Sequence, residues 1–261
     1  MRKCLWLVVI LLQLCCLNIQ AQKIHAFVFA DTENASIGQA NEACVSLMTK
    51  FLEDVERESR ISLNLKVFTS TRNNSRSTVK DVLDNLSCSN QDVIIFYYSG
   101  LGCRAENDKS EFPQLCFNSI AENDYIQSET LWSQLIDKGA HMVLFISDAC
   151  NCIQPKVSCK EVVAPKLSIE AEPLRIPEGI SKAGLLYYQN AHIFFSASKR
   201  YSVAYSIKDG GVFTLAFLES YYRYTESNKT DLNWRELLDA IQSSPILSSF
   251  QQAPSFQLLE K

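Results

Sequence analysis

The sequence lacks an excess of positive charge. Its 25 lysines and arginines face 29 aspartates and glutamates, a formal charge of −4. A protein that binds nucleic acid neutralises phosphates with a patch or stripe of basic side chains. The charge balance therefore predicts no nucleic-acid surface.

No apolar run is long enough to cross a bilayer comfortably, which takes about 20 residues. The longest extends from Cys4 to Leu17; it follows Arg2 and Lys3 and precedes a polar stretch that ends in a small residue. This is the pattern of a cleavable secretory signal. We therefore predict a signal peptide over 1–21, a protein exported to the periplasm or secreted, and no stable membrane anchor after cleavage.

Histidine is also scarce: His25, His141 and His192 are the only ones. Cysteine is not, since seven of the ten cysteines follow the predicted signal: Cys44, Cys88, Cys103, Cys116, Cys150, Cys152 and Cys159. An odd number in an exported protein leaves at least one thiol without an intrachain disulfide partner. Cys103 with Cys116, and Cys152 with Cys159, are candidate local bridges, but spacing alone does not assign the pairing.

Strands and helices alternate along the chain after the signal. Strands are predicted at 24–30, 63–67, 92–99, 142–147 and 192–197. Most of these runs are apolar without alternation, which is typical of strands buried on both faces of a parallel sheet. Apolar residues at helical spacing lie between the strands. We therefore predict one α/β domain over 22–261, with three layers: a mostly parallel sheet of about six strands and helices on both faces.

Two segments interrupt this alternation. Residues 103–124 are polar and irregular, which favours a hairpin or insertion over a helix. Residues 153–190 contain four prolines and many charges, which predicts a long, mobile surface connection.

Right-handed crossovers place the carboxyl ends of all parallel strands on one rim. Asp31, 100–102 and 148–150 should therefore meet there. Cys150, which directly follows a buried strand, is a candidate nucleophile; the alternative is a disulfide half or an inert buried thiol.

A second class of site can be tested against the same rim. Gly100, Gly102 and Ala105 match the dinucleotide fingerprint. The fingerprint requires a helix that begins at this turn, whereas 105–113 has no apolar period. We therefore expect no nucleotide.

Three stretches carry a resemblance to a known family. YYSGLG at 97–102, SDAC at 147–150 and SASKRYSVAYSIKDGGVFTLAFLES at 196–220 resemble the caspase and metacaspase fold of cysteine peptidases, over residues 23 to about 224. The resemblance implies peptide-bond hydrolysis by a cysteine–histidine dyad. It places Cys150 at the nucleophile and the backbone N–H of Gly102 at the oxyanion hole.

The position of the dyad histidine is occupied by Leu101. A leucine can neither accept nor donate the proton that a general base handles. At ~3.3 Å per residue, the three histidines are about 20–30 Å away at the other end of the strands. We expect severely reduced or absent peptidase activity.

The resemblance also implies a specificity pocket for Arg or Lys, as in metacaspases. Asp148 and Ser99 match two of its residues, and Glu42 matches a third less closely; the alternative for Glu42 is a solvated helix face. The residues at the calcium-binding pair of some metacaspases are Ser128 and Glu129 here, so we expect no metal and no other cofactor. The expected partner is a peptide or protein with Arg or Lys, and the alternative function is a pseudo-peptidase that binds without cutting.

Overall fold

The computed structural model describes residues 22–70, 72–117, 125–153, 184–187, 190–227 and 232–260. The predicted signal, Cys159 and most of 153–190 lie outside these ranges. No helix within them is long and apolar enough to cross a membrane.

A six-stranded sheet forms the middle of the domain. Its strands are β1 (Lys23–Ala30), β2 (Ser62–Phe68), β3 (Val93–Ser99), β7 (Met142–Asp148), β8 (Ala191–Ser196) and β11 (Ser255–Glu260). The spatial order is β11-β8-β7-β3-β1-β2. All neighbours pair parallel except β11 and β8. This confirms the predicted fold class, including the half-exposed outer position of β2.

Helices cover both faces of the sheet. They are α1 (Gly38–Ser59), α2 (Arg76–Asn85), α3 (Ser128–Ile136), α4 (Gly184–Tyr187), α5 (Val212–Glu226), α6 (Trp234–Gln242) and α7 (Pro245–Ser249). Because successive strand residues point to opposite faces, the sheet contributes to two separate cores. One core lies under α1, α5 and α6, and the other under α2 and α3.

The described part of the 103–124 segment, 103–117, contributes to a small β-structure, in agreement with the predicted hairpin or insertion. β4 (Gly102–Cys103), β5 (Gln114–Cys116) and β6 (Tyr125–Gln127) form a three-stranded antiparallel sheet. Two further short strands, β9 (Ser206–Ile207) and β10 (Gly210–Gly211), pair antiparallel just before α5. Both small sheets lie after the carboxyl ends of central strands.

Two leucines of helix α4 are buried, although a surface connection is predicted for 153–190. Leu185 and Leu186 are fully buried in the same core as Trp234. The indole N–H of Trp234 donates a hydrogen bond to the Leu185 carbonyl at 3.0 Å. These leucines therefore belong to the packed core, which a segment rich in charge and proline does not suggest.

Candidate active site

The carboxyl ends of β3 and β7 lie side by side. Ser99 is aligned with Asp148 in the parallel register, and the Gly100 amide donates to the Asp148 carbonyl at 3.2 Å. The two segments that follow, with Leu101 and Cys150, therefore leave the sheet together. This is the meeting predicted from topology alone.

A small cavity of about 60 Å³ lies at this rim. Its lining comes from five segments of the chain: Ile37 and Asn41, 99–101, 148–150, 204–206, and Gly211. Leu101 and Cys150 both line it, and none of the three histidines does. Protein sites that enclose a whole small molecule have about 300–1,000 Å³, so this cavity suits part of one side chain.

The Cys150 thiol is held by the backbone of the 198–205 loop. Its Sγ accepts a hydrogen bond from the Ala204 amide at 3.3 Å and donates to the Ala204 carbonyl at 3.5 Å. The side chain is half-buried. A polar contact of this kind fixes the sulfur at the cavity wall but supplies no base to take its proton.

Gly102 approaches the Cys150 backbone closely. A Cβ at this position would overlap the Cys150 carbonyl oxygen and lie 2.8 Å from the Ala149 Cβ. In β4, Gly102 lies opposite Leu115 of β5. The next residue of β5, Cys116, donates its backbone N–H to the Leu101 carbonyl. The absence of a side chain is what lets the two segments touch.

Asp148 lines the cavity, is buried and is bound by helix α5. Its Oδ2 accepts from the Thr214 amide at 3.0 Å and from the Thr214 hydroxyl at 2.6 Å. Burial raises the pKa of this carboxyl to about 6, although both hydrogen bonds oppose the rise. Within the described ranges, Asp148 forms no ion pair with a basic side chain. An ionised Asp148 therefore places a buried negative charge in the lining of the cavity.

Ser99 lies beside Asp148, and its hydroxyl donates to Asn41 Oδ1 at 2.9 Å. Asn41 in turn donates through Nδ2 to the Asp31 carbonyl at 2.7 Å. Glu42, the third residue expected in the pocket, is exposed on α1 and does not line the cavity. Asn41 occupies the inner face instead.

The sequence did contain a signal for Asn41. It lies three residues before Cys44, the first residue of the apolar face of α1, and residues three apart share a helix face. Cys44 is itself fully buried, accepts the Gly211 amide at 2.9 Å, and has its pKa raised by burial and by Asp148. Thr214 had no comparable signal, because its role depends on how α5 docks against the rim.

The residue after Cys150 is anchored by a second set of contacts. Asn151 accepts from Nη1 of the fully buried Arg104 at 3.0 Å and donates to the Glu111 carbonyl at 2.8 Å. Its backbone exchanges hydrogen bonds with Ser202 and Tyr201, both 2.9 Å long. The loop that carries the thiol is thus fixed by a buried guanidinium.

The histidines lie at the opposite end of the sheet, as predicted. His25, near the start of β1, is 3.4 Å from the Asp92 carboxylate. His192, near the start of β8, accepts the Val143 amide through Nδ1 at 3.1 Å. His141 immediately precedes β7. None of these imidazoles reaches the cleft.

The residues at the expected calcium position contact the protein itself. The Ser128 hydroxyl donates to the Pro113 carbonyl at 2.5 Å, and Glu129 accepts from the Ser110 hydroxyl at 2.8 Å. Within the described ranges, no group of three or more His, Cys, Asp or Glu side chains could hold a metal ion.

Comparisons with known proteins agree with this architecture. The sequence profile of the caspase domain matches residues 28–258. Caspase-1 of Spodoptera frugiperda superposes with a TM-score of 0.52 and 13% identity, over 92% of this chain and 87% of that one. A crystallised protein of Geobacter sulfurreducens gives 0.51 and 15%, over 92% and 94%. No curated protein matches in sequence.

Proposed function

We propose, because this chain belongs to the caspase domain family, that its cleft binds peptides or proteins through an Arg or Lys side chain. The family's reaction is peptide-bond hydrolysis by a cysteine, and Cys150 is the residue of this chain for that role. In this proposal hydrolysis is severely impaired, because Leu101 stands where the general base is needed.

The support for a basic ligand is the charge of the cleft. Asp148 lines a cavity sized for part of one side chain, and its Oδ2 accepts two hydrogen bonds from Thr214. A buried carboxylate without a cation is stabilised by an incoming guanidinium or ammonium group. The Ser99 hydroxyl adds a polar group beside it.

The support for impairment is the composition of the lining. A general base contributes typically ~10²–10⁴-fold to a proton transfer, and the cavity has no imidazole. When one member of a catalytic unit is lost, most of the rate is lost while ground-state binding remains. The proposal therefore includes slow peptide hydrolysis by Cys150.

The alternative is a pseudo-peptidase, which binds peptides or a partner protein without cutting them. Leu101 is the observation that favours it. The two functions share a cleft and a ligand class and differ only in turnover.

The experiment measures turnover and binding on the same ligand. The protein is mixed with a fluorogenic peptide that ends in Arg at the cleavage site, and in parallel with an uncleavable analogue. Slow hydrolysis that Cys150→Ala abolishes identifies a weak peptidase. Saturable binding without hydrolysis identifies the pseudo-peptidase. An analogue with Gln in place of Arg is the matched control, and equal binding of both analogues would contradict the proposed role of Asp148.

Export belongs to the proposal as well. Its support is the pattern of 1–21, and its test is amino-terminal sequencing of the protein from cells that export it. Cleavage before Gln22 is expected, and an intact Met1 would contradict export through a cleaved signal.

A further inference from the structure

Cys103 and Cys116 lie next to each other on the small sheet that follows the Leu101 turn. Their Sγ atoms are 3.6 Å apart. Cys103 pairs with Gln114 across the ladder, and the Cys116 amide donates to the Leu101 carbonyl at 3.0 Å. The two cysteines are therefore diagonal neighbours on one face of the ladder.

A disulfide bond is about 2.05 Å long, so the two sulfur atoms, 3.6 Å apart, must approach each other by about 1.5 Å, through movement of both side chains and of the short strand that carries Cys103. We propose that Cys103 and Cys116 are a dithiol pair that forms a disulfide by exchange with a small-molecule disulfide such as oxidised glutathione. Spacing leaves several pairings open, whereas the geometry points to this one. This proposal does not depend on whether the cleft binds or cuts peptides.

The exchange takes two steps. Cys116 is half-buried and Cys103 is buried, so Cys116 meets the reagent first. Its thiolate attacks one sulfur of oxidised glutathione, forms a mixed disulfide and releases one glutathione thiolate. The Cys103 thiolate then attacks the Cys116 sulfur and releases the second. The cysteines lose two protons and two electrons, and the reagent is reduced to two glutathione molecules.

The position of Cys103 suits it to be the second nucleophile, because its sulfur lies 3.6 Å from that of Cys116. In the dithiol the hydrogen bond from Cys116 lowers the pKa of the Cys103 thiol, although burial and the nearby Cys152 oppose this; once Cys116 is in the mixed disulfide, this hydrogen bond is gone and only the proximity remains. Thiolate is the reactive form in thiol–disulfide exchange. Cys152 is thus the competing partner that an experiment must separate from Cys116.

The bond would act on the loop that lines the cleft. Leu101 and Gly102 directly precede Cys103, and β4 is only two residues long. A disulfide would fix this strand to β5 and close the 103–116 loop. Closing a loop of this length lowers the conformational entropy of the unfolded chain. The disulfide should therefore raise the melting temperature by about 5 °C or more.

The experiment uses the full chain carrying Cys88→Ser. Cys88 donates only to the Lys138 carbonyl, at 3.2 Å, which a serine hydroxyl can replace. The protein is reduced, incubated with oxidised glutathione, alkylated with iodoacetamide and digested with trypsin. Cys103 then lies on peptide 81–104, Cys116 on 110–138, and Cys150 with Cys152 on 139–156. We expect 81–104 joined to 110–138, with the loss of two hydrogens.

Adding Cys116→Ser gives the matched control. In this variant the cross-link and the rise in melting temperature should both disappear. Joining of 81–104 to 139–156 in the Cys88→Ser protein would overturn the proposal, as would glutathione adducts without a cross-link. The same would hold for an equal rise in melting temperature in both variants.

Discussion

Leu101 and Cys150 line one cavity, each two residues beyond a residue of the aligned pair Ser99 and Asp148. The register of β3 and β7 therefore sets the relation of the two side chains. A polar or basic group at position 101 would occupy the wall of the cavity that also holds the sulfur. In the proposed function, this is the scaffold of a two-residue catalytic unit in which Leu101 stands at the position of the base.

Leu101→His should restore hydrolysis of an Arg or Lys reporter peptide. An imidazole there supplies the missing base, and we expect a gain of about 10²-fold or more in kcat/KM. Fluorogenic assays compare the variant with the wild type. Leu101→Asn, which adds a polar side chain but no base, should give no gain. Persistence of the new activity in Leu101→His with Cys150→Ala would assign it to another residue or a contaminant.

Gly102→Ala should displace the Cys150 loop. The new Cβ would overlap the Cys150 carbonyl oxygen, which is backbone and cannot rotate away. We expect destabilisation of about 1–3 kcal/mol and an altered rate of iodoacetamide labelling at Cys150. Gly139→Ala is the control: its φ of 78° makes alanine strained, but nothing lies within 4 Å. That variant should lose stability without a change in labelling rate. A Gly102→Ala protein that is labelled at Cys150 as fast as the wild type would contradict the close approach of Gly102 to the Cys150 backbone.

The sheet could be predicted because most of its strands, including β3 and β7 at its centre, are apolar on both faces. β3 and β7 read as continuous hydrophobic runs, and all seven residues of each are buried. β11 has the opposite character: Phe256 and Leu258 pack on the core while the strand stays partly exposed at an edge. Its alternation rests on these two core positions alone, and this edge strand was not predicted.

The position of the site was easier to predict than the residues that surround Ser99 and Asp148. Topology and the position after β7 are enough to bring Cys150 to the rim with 99–101. The choice between Asn41 and Glu42 depends on the helical face, and Thr214 depends on tertiary docking. Leu185 and Leu186 lie in a helix of four residues, which is too short for a period to be recognised.

Asn151→Ala should destabilise the domain strongly. It leaves Nη1 of the fully buried Arg104 and the Glu111 carbonyl without their Asn151 partner. Removing one partner from a buried charged hydrogen bond costs about 3 kcal/mol, or about 5–10 °C in melting temperature. Asn85→Ala, which removes an exposed contact to the Asp81 carbonyl, is the matched control and should change little. Equal melting temperatures for the two variants would contradict the anchoring role.

The pH dependence of stability should carry the signature of Asp148. Burial raises its pKa from 3.8 to about 6, so the folded state retains a proton that the unfolded chain has already released between these values. The contribution of Asp148 to the free energy of unfolding therefore falls as the pH rises from about 4 to about 6, by at most about 3 kcal/mol, and is constant above. Cys44 and Tyr97 near this carboxyl stay protonated throughout, because burial raises the pKa of both.

Urea unfolding between pH 4 and pH 7 tests this in the wild type and in Asp148→Asn. The asparagine keeps the size of the side chain and cannot ionise, so the variant should gain stability relative to the wild type as the pH rises through the window. Glu42→Gln removes an exposed carboxyl from α1 and should show no such relative gain. Parallel curves for the wild type and Asp148→Asn would mean that the ionised carboxylate is as well stabilised in the folded protein as in water. Asp148 would then be charged but not desolvated and unpaired, and the proposed binding of Arg or Lys would lose its support.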